Sequence, residues 1–75
     1  MININNHSYY QLTELLLGKR AHFTSDCEFF PNFDVIGKVI LIKQNPAEIL
    51  IDIIEQRGKR LTIGTNMKNL QCEIY

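Results

Sequence analysis

Two isoleucine-rich runs, separated by a short polar break, constrain the fold of this chain more than any other feature. Val35–Lys43 reads VIGKVILIK and Glu48–Glu55 reads EILIDIIE, and the break between them contains Asn45 and Pro46. β-Branched side chains fit the pleated surface of a strand, and an Asn-Pro pair favours a turn. The pattern therefore predicts two adjacent antiparallel strands joined by a turn at Gln44–Ala47.

The register of these strands predicts which side chains face the core. A five-residue loop over Lys43–Ala47 would set Leu41 opposite Ile49. A three-residue turn at Arg57–Lys59 would set Ile53 opposite Ile63 in the following strand. The predicted core face then consists of Val35, Val39, Leu41, Ile49, Ile51, Ile53, Leu61 and Ile63.

Shorter patterns predict the remaining elements. Ser8 is a suitable N-cap and Gly18 a suitable C-terminal stop for a helix over Tyr9–Leu17. Alternating side chains predict further strands, and a polar stretch predicts one short helical turn. These strands are Lys19–Ser25, Arg60–Gly64 and Leu70–Tyr75, and the helical turn is Thr65–Asn69.

The opposite face of the two isoleucine-rich strands also carries large apolar side chains, which need a cover. We expect the N-terminal helix to dock there, and a second copy of the chain, forming a homodimer, is the alternative. Asp52 lies among these side chains and needs a partner if it is buried, with Lys38 as the candidate. The apolar residues of this predicted dimer or helix-docking face are Ile36, Ile40, Ile42, Leu50 and Ile54.

The order of elements over residues 19–75 resembles that of the SH3-like small β-barrel. In this comparison Asp26–Asp34 is the long loop after the first strand, Arg57–Lys59 is the distal hairpin, and Thr65–Asn69 is the helical turn before the last strand. The stretch Ile36–Ile42 is similar to the Gly-x-Val-x-x-Ile pattern of ribosomal and transcription-factor barrels. The chain lacks Trp and the Ala-Leu-Tyr-Asp-Tyr opening of peptide-binding SH3 domains, so proline-rich ligands are not implied.

The resemblance implies a mainly β fold, a five-stranded SH3-like barrel with one short N-terminal helix. The 75 residues leave room for one domain, with an N-terminal segment and helix over 1–18 and the barrel over 19–75. Eight basic and eight acidic residues give a formal net charge of zero, which argues against a strongly basic nucleic-acid clamp. The absence of a ~20-residue apolar run and of a signal peptide predicts a cytoplasmic protein without membrane contact.

Candidate chemistry is sparse. His22, Ser25 and Asp26 could suggest a nucleophilic triad, but His22 and Ser25 fall on opposite faces of a strand. The chain's two histidines and two cysteines lack the close pairs of a zinc site, and Cys27 and Cys72 are expected to be free thiols. We therefore predict no catalytic residue, metal or cofactor, and no enzyme activity.

The predicted loop Asp26–Asp34 combines three phenylalanines with three acids around Pro31. Two interpretations stay open. The rings form a lid over one end of the barrel, or they form an acidic-aromatic surface that contacts a basic partner, since exposed aromatic side chains anchor interfaces. The predicted partner-binding residues are Asp26, Glu28, Phe29, Phe30, Phe33 and Asp34.

These patterns together predict a small non-enzymatic binding module that engages a protein partner. Its size suits a regulator or inhibitor of phage or mobile-element type. The alternative is a nucleic-acid-associated barrel that uses the basic distal hairpin. The residues of this alternative site are Arg57, Lys59 and Arg60.

Overall fold

The computed structural model describes residues 1–26 and 33–75 as one antiparallel sheet with a short helix and a 3₁₀ turn. The strand order across the sheet is β1-β6-β2-β3-β4-β5. The elements are β1 (Ile2–Asn3), the 3₁₀ turn (Ile4–Asn6), α1 (Tyr9–Leu16), β2 (Arg20–Ser25), β3 (Phe33–Gln44), β4 (Ile49–Glu55), β5 (Arg60–Gly64) and β6 (Gln71–Ile74).

The predicted class, mainly β with one short helix, is confirmed, but the five-stranded barrel is not. The sheet has six strands because the N-terminal β1 pairs with β6, with Ile2 opposite Cys72. Within the described ranges β1 and β5 are the two edges, and no pairing joins them, so the sheet is not closed. Residues 65–69 form successive turns, with Asn69 at φ 52°, rather than the predicted helical turn.

The helix begins and ends for the local reasons that the sequence indicates. The Ser8 hydroxyl accepts a hydrogen bond from the backbone N–H of Gln11, and the Gln11 side chain accepts one from the backbone N–H of Ser8. This reciprocal capping box satisfies two helix-end donors. Gly18 follows the helix at φ +79°. The helix buries Leu12 and Leu16 completely.

The hydrophobic core lies on one face of the sheet, where α1 packs against β3. The side chains of the helix, of the 3₁₀ turn and of the central strands meet there, so one apolar cluster holds all elements together. Its buried members are Ile4, Leu12, Leu16, Ala21, Phe23, Val39, Ile42, Ile51, Ile53, Ile63, Leu70 and Cys72.

The register of β3 and β4 differs from the prediction, since Leu41 lies opposite Asp52 and not Ile49. Two residues of this shift leave every side chain on its predicted face, and the third comes from a β-bulge in β3. Lys43 pairs with Leu50 on one side of the bulge, Val39 pairs with Ile53 on the other, and Ile40 is the extra residue. One extra residue moves every following side chain to the opposite face.

The bulge exchanges the environments of two residues. Leu41 was expected in the core, but it pairs with Asp52 and is 40% exposed. Ile42 was expected on the outer face, but it pairs with Ile51 and is buried in the core. Both corrections follow from the single extra residue, because the alternation of side chains resumes out of phase beyond it.

The β4–β5 register is shifted by two residues from the prediction, which leaves the core face unchanged. Ile51 lies opposite Ile63 and Ile53 lies opposite Leu61. The turn includes Gly58 at φ +87°, a backbone conformation that glycine adopts readily. A shift of two residues keeps each side chain on its original face, because the side-chain period of a strand is two.

Gly37 marks a close approach between β3 and β4. A Cβ atom at this position would lie 2.7 Å from the carbonyl oxygen of Ile54. We predict that Gly37→Ala lowers the free energy of unfolding by about 1–3 kcal/mol, because the backbone of β4 must move. Lys38→Arg, which keeps the exposed charge beside it, should change the stability by less than about 0.5 kcal/mol. Urea titration measures both, and equal effects of the two variants would contradict the prediction.

Candidate functional site

The predicted acidic-aromatic loop is only partly within the described residues. Glu28, Phe29 and Phe30 lie outside them. Phe33 is the first residue of β3 and is half-buried against the core. The exposed carboxylate of Asp34 shares a hydrogen bond with Nε2 of His22, a diagonal neighbour on β2.

The predicted separation of His22 and Ser25 is confirmed. Ser25 is buried on the core side, where its hydroxyl donates to the carbonyl oxygen of Lys68 at 2.7 Å.

Cys72 is a free, buried thiol, and burial raises its pKa to about 11, while Cys27 lies outside the described residues. Among residues 1–26 and 33–75, no group of three or more potential metal ligands comes together.

The cross-strand register assembles a row of side chains across the outer face, the face of the sheet opposite the core. Arg20 lies opposite Lys38, Lys38 opposite Ile54, and Ile54 opposite Arg60. Because neighbouring strands lie about 4.8 Å apart, the row spans ~14 Å over four strands. It contains three cations and one isoleucine, which is 40% exposed.

Four apolar residues on this face form what we call the outer apolar strip: Ile36, Leu41, Leu50 and Ile54. All four are exposed or half-buried, and none packs against the core cluster. The helix does not dock here as predicted, since its buried leucines belong to the core on the other face. Ile40, at the bulge, is half-buried.

Asp52 lies beneath the cations of the outer face and is only 2% exposed. Arg60 Nη2 donates to its Oδ2 at 2.7 Å, the Thr62 hydroxyl donates to its Oδ1 at 2.8 Å, and Lys43 Nζ lies 3.7 Å from Oδ2. The expected partner, Lys38, is not among these contacts. The hydrogen bond from Arg60, helped by Thr62 and Lys43, lowers the pKa of Asp52 although burial opposes this change.

The charges of the outer face are segregated. Arg20 and Lys38 are directly opposed like charges, an arrangement that destabilises a sheet. At the other end of β2, the exposed acids Asp34 and Glu73 flank His22. The row of Arg20, Lys38, Ile54 and Arg60 is therefore locally cationic, although the chain as a whole is neutral.

A groove runs along β5 and has a cavity volume of about 490 Å³. We call it the β5 groove. The sequence pattern did not predict it, because its walls come from β3, the β3–β4 turn, β5 and the turns that follow β5. Its lining residues are Phe33, Glu48, Leu61, Thr62, Ile63, Gly64, Asn66 and Met67.

The structure defines a small antiparallel β domain whose outer face is both apolar and cationic. No protein-family model, no curated protein and no solved structure matches the chain significantly. Within the described residues, no helix is long and apolar enough to span a membrane.

The Asp52 cluster predicts a specific acid dependence of stability. A carboxyl whose pKa is lowered by folding stabilises the native state above its unfolded pKa, about 3.9, and this contribution is lost as the pH falls through the lower folded pKa. Asp52→Asn should therefore be less stable than the wild type at pH 7 and lose less stability on acidification. At pH 7 the free energy of unfolding of Thr62→Val, which keeps the Asp52 carboxylate, should lie between those of the wild type and Asp52→Asn. Urea titrations measure this, and parallel loss in wild type and Asp52→Asn would contradict it.

Proposed function

We propose that the chain is a small non-enzymatic binding module that engages another protein through its outer face. The observation that carries this proposal is the row in which half-exposed Ile54 lies between Lys38 and Arg60. An apolar side chain with a cation on either side supports recognition of a partner surface that combines apolar and acidic side chains.

The opposed pair of Arg20 and Lys38 supports an acidic partner. Two like charges in directly opposite positions cost stability in the free protein. A carboxylate from a partner would relieve that repulsion and form charge-assisted hydrogen bonds with both side chains. Such a contact adds specificity, because a basic partner would meet the same repulsion more strongly.

The acidic side of the module is a proposed second contact. Asp26 and Asp34 are exposed at the end of β2 and the start of β3, and Phe33 lies beside them. These residues suit a basic segment of the partner, as the sequence pattern predicts for the loop. A module that presents one acidic and one cationic region would act as a regulator or inhibitor by covering a partner's surface.

We also infer that the fold belongs to the SH3-like class of small barrels. The order of strands supports this assignment, as do the tight β4–β5 turn at Gly58 and the successive turns before β6. A solution structure with a strongly curled sheet would support this assignment, and a flat sheet would contradict it.

The partner surface is testable with a synthetic acidic peptide that alternates leucine and glutamate. In NMR titration, we expect it to shift the backbone amide signals of Arg20, Lys38 and Ile54. Ile54→Ser and Leu41→Ser should each weaken binding roughly tenfold, the loss of about 1.4 kcal/mol that removal of a central apolar anchor produces.

Two controls make this test specific. A peptide in which lysine replaces glutamate should cause no shifts on the outer face. Tyr10→Ser removes another exposed apolar side chain, on α1, and should leave the affinity unchanged. The proposal is wrong if the lysine peptide binds equally well, or if Tyr10→Ser weakens binding as much as Ile54→Ser.

One observation favours nucleic acid as an alternative partner. Tyr75 is 65% exposed, and its N–H donates to the carbonyl oxygen of Arg20, so an aromatic ring lies at the end of the cationic row. Aromatic side chains beside cations stack on nucleic-acid bases. In this alternative Arg57, Lys59 and Arg60 at the β4–β5 turn extend the contact.

The alternative predicts binding of a fluorescent oligothymidine that weakens steeply with salt. Tyr75→Ser should weaken that binding roughly tenfold, because base stacking contributes about 1–3 kcal/mol. Leu41→Ser should have no effect on it. Retention of full oligothymidine affinity by Tyr75→Ser, or no binding at low salt, contradicts the nucleic-acid function.

A further inference from the structure

Among residues 1–26 and 33–75, the strand β5 is a sheet edge that no other strand covers. Proteins normally shield such edges with very short strands, charged side chains, prolines or bulges, because unpaired backbone groups recruit other strands. The one charged residue of β5 is Arg60, at its first position. At the opposite edge, β1 has only two residues. By contrast, β5 has five residues, no proline and no irregularity in its pairing with β4, and no described strand lies on its other side.

The backbone groups that β5 offers follow from its ladder with β4. The N–H of Glu55 donates to the carbonyl oxygen of Lys59, and the N–H of Thr65 donates to that of Ile49. Hydrogen-bonded pairs recur at every second residue of an antiparallel ladder. The backbone N–H and C=O groups that point away from β4 are therefore those of Arg60, Thr62 and Gly64.

On the core side of this edge the lining of the β5 groove is apolar, whereas its polar lining residues are Glu48, Thr62 and Asn66. Leu61 and Ile63 point to this side, and Phe33 and Met67 form the rest of its apolar lining. Leu61 is only half-buried, so part of its side chain faces the groove. A strand added to β5 would place its alternate side chains in this groove.

Above the edge, on the outer face, opposite charges lie at the two ends of β5. A Cβ atom at Gly64 would lie 2.6 Å from Oε2 of Glu48, so the Glu48 carboxylate lies over that glycine. At the other end, Arg60 uses one nitrogen for Asp52, and its side chain is 59% exposed. A guanidinium has five N–H donors, so Arg60 can bind a second carboxylate.

We propose that β5 pairs with β5 of a second copy of this chain, antiparallel, about a two-fold axis at Thr62. In this register Thr62 lies opposite the partner's Thr62, and Arg60 lies opposite the partner's Gly64. All the outward backbone groups of β5 then meet complementary groups. The two sheets join into one continuous sheet.

This register is complementary on both faces, which is why a second copy fits better than an unrelated strand. On the core side Leu61 lies opposite the partner's Ile63 in a closely spaced pair and enters the groove there. On the outer face Arg60 has no Cβ atom opposite it and reaches the partner's Glu48. The two-fold axis forms each of these contacts twice.

The inference concerns the edge of the sheet and does not depend on the proposed acidic partner. The first test uses the wild-type chain alone. Sedimentation across a range of concentrations should show a monomer–dimer equilibrium. In a mixture of ¹³C-labelled and unlabelled chains, an isotope-filtered NOE should connect Leu61 Hα with Ile63 Hα of the other copy.

Charge variants test the register. Glu48→Lys should weaken dimerisation roughly tenfold or more, because it places a cation against Arg60 at both ends of the interface. Glu48→Gln should weaken it less, since an amide oxygen still accepts from Asn66 N–H as Glu48 does. Glu73→Lys makes the same charge change on the outer face of β6 and should leave the dimer unchanged.

A proline variant tests the backbone contact. Thr62→Val loses the hydroxyl that donates to Asp52 but keeps its N–H, so it should still dimerise. The N–H of Thr62 points away from β4, so Thr62→Pro, which loses both groups, keeps the β4–β5 ladder and blocks the added strand. It should be monomeric. The proposal is overturned if the wild type is monomeric at all concentrations, if the filtered NOE joins residues of the outer apolar strip instead, or if Glu73→Lys weakens the dimer as much as Glu48→Lys.

Discussion

The strict alternation of side chains along β3, interrupted once at Ile40, is the constraint on which the structure depends. β3 pairs with both β2 and β4. The face of the sheet on which each β3 side chain lies therefore decides which residues of all three strands enter the core. The extra residue keeps Val39 and Ile42 on the core side although they are three positions apart. A regular strand with that spacing would expose one of the two side chains.

The same bulge produces the outer face. With Ile42 in the core, Leu41 turns outward beside Asp52, and Lys43 reaches toward the same carboxylate. A buried acid on an otherwise exposed face requires donors, and Arg60 and Thr62 supply them. The cations there thus have a structural role in covering Asp52, and their remaining donors are available to a partner.

Local patterns in the sequence predicted those structural features that depend only on residues close together in the chain. The N-cap at Ser8, the positive φ of Gly18 and the five strands after the helix are set within a few positions of the chain. The bulge could not be predicted, because an extra residue leaves no mark in an apolar run where either face is acceptable to isoleucine. The β5 groove and the cationic row require the strand order, which brings Phe33 near Met67 and Arg20 near Lys38.

The acidic and basic side chains that sum to a neutral net charge are largely separated in space rather than paired. In the described part of the chain Asp52 and Asp34 are the only acids in ion pairs, Asp52 with Lys43 and Arg60, and Asp34 with His22. Glu48 and Arg60 lie near opposite ends of β5, too far apart to neutralise each other within one copy of a five-residue strand. An antiparallel two-fold pairing brings each beside its opposite charge, so the sequence that leaves them unpaired in the monomer is self-complementary in the dimer.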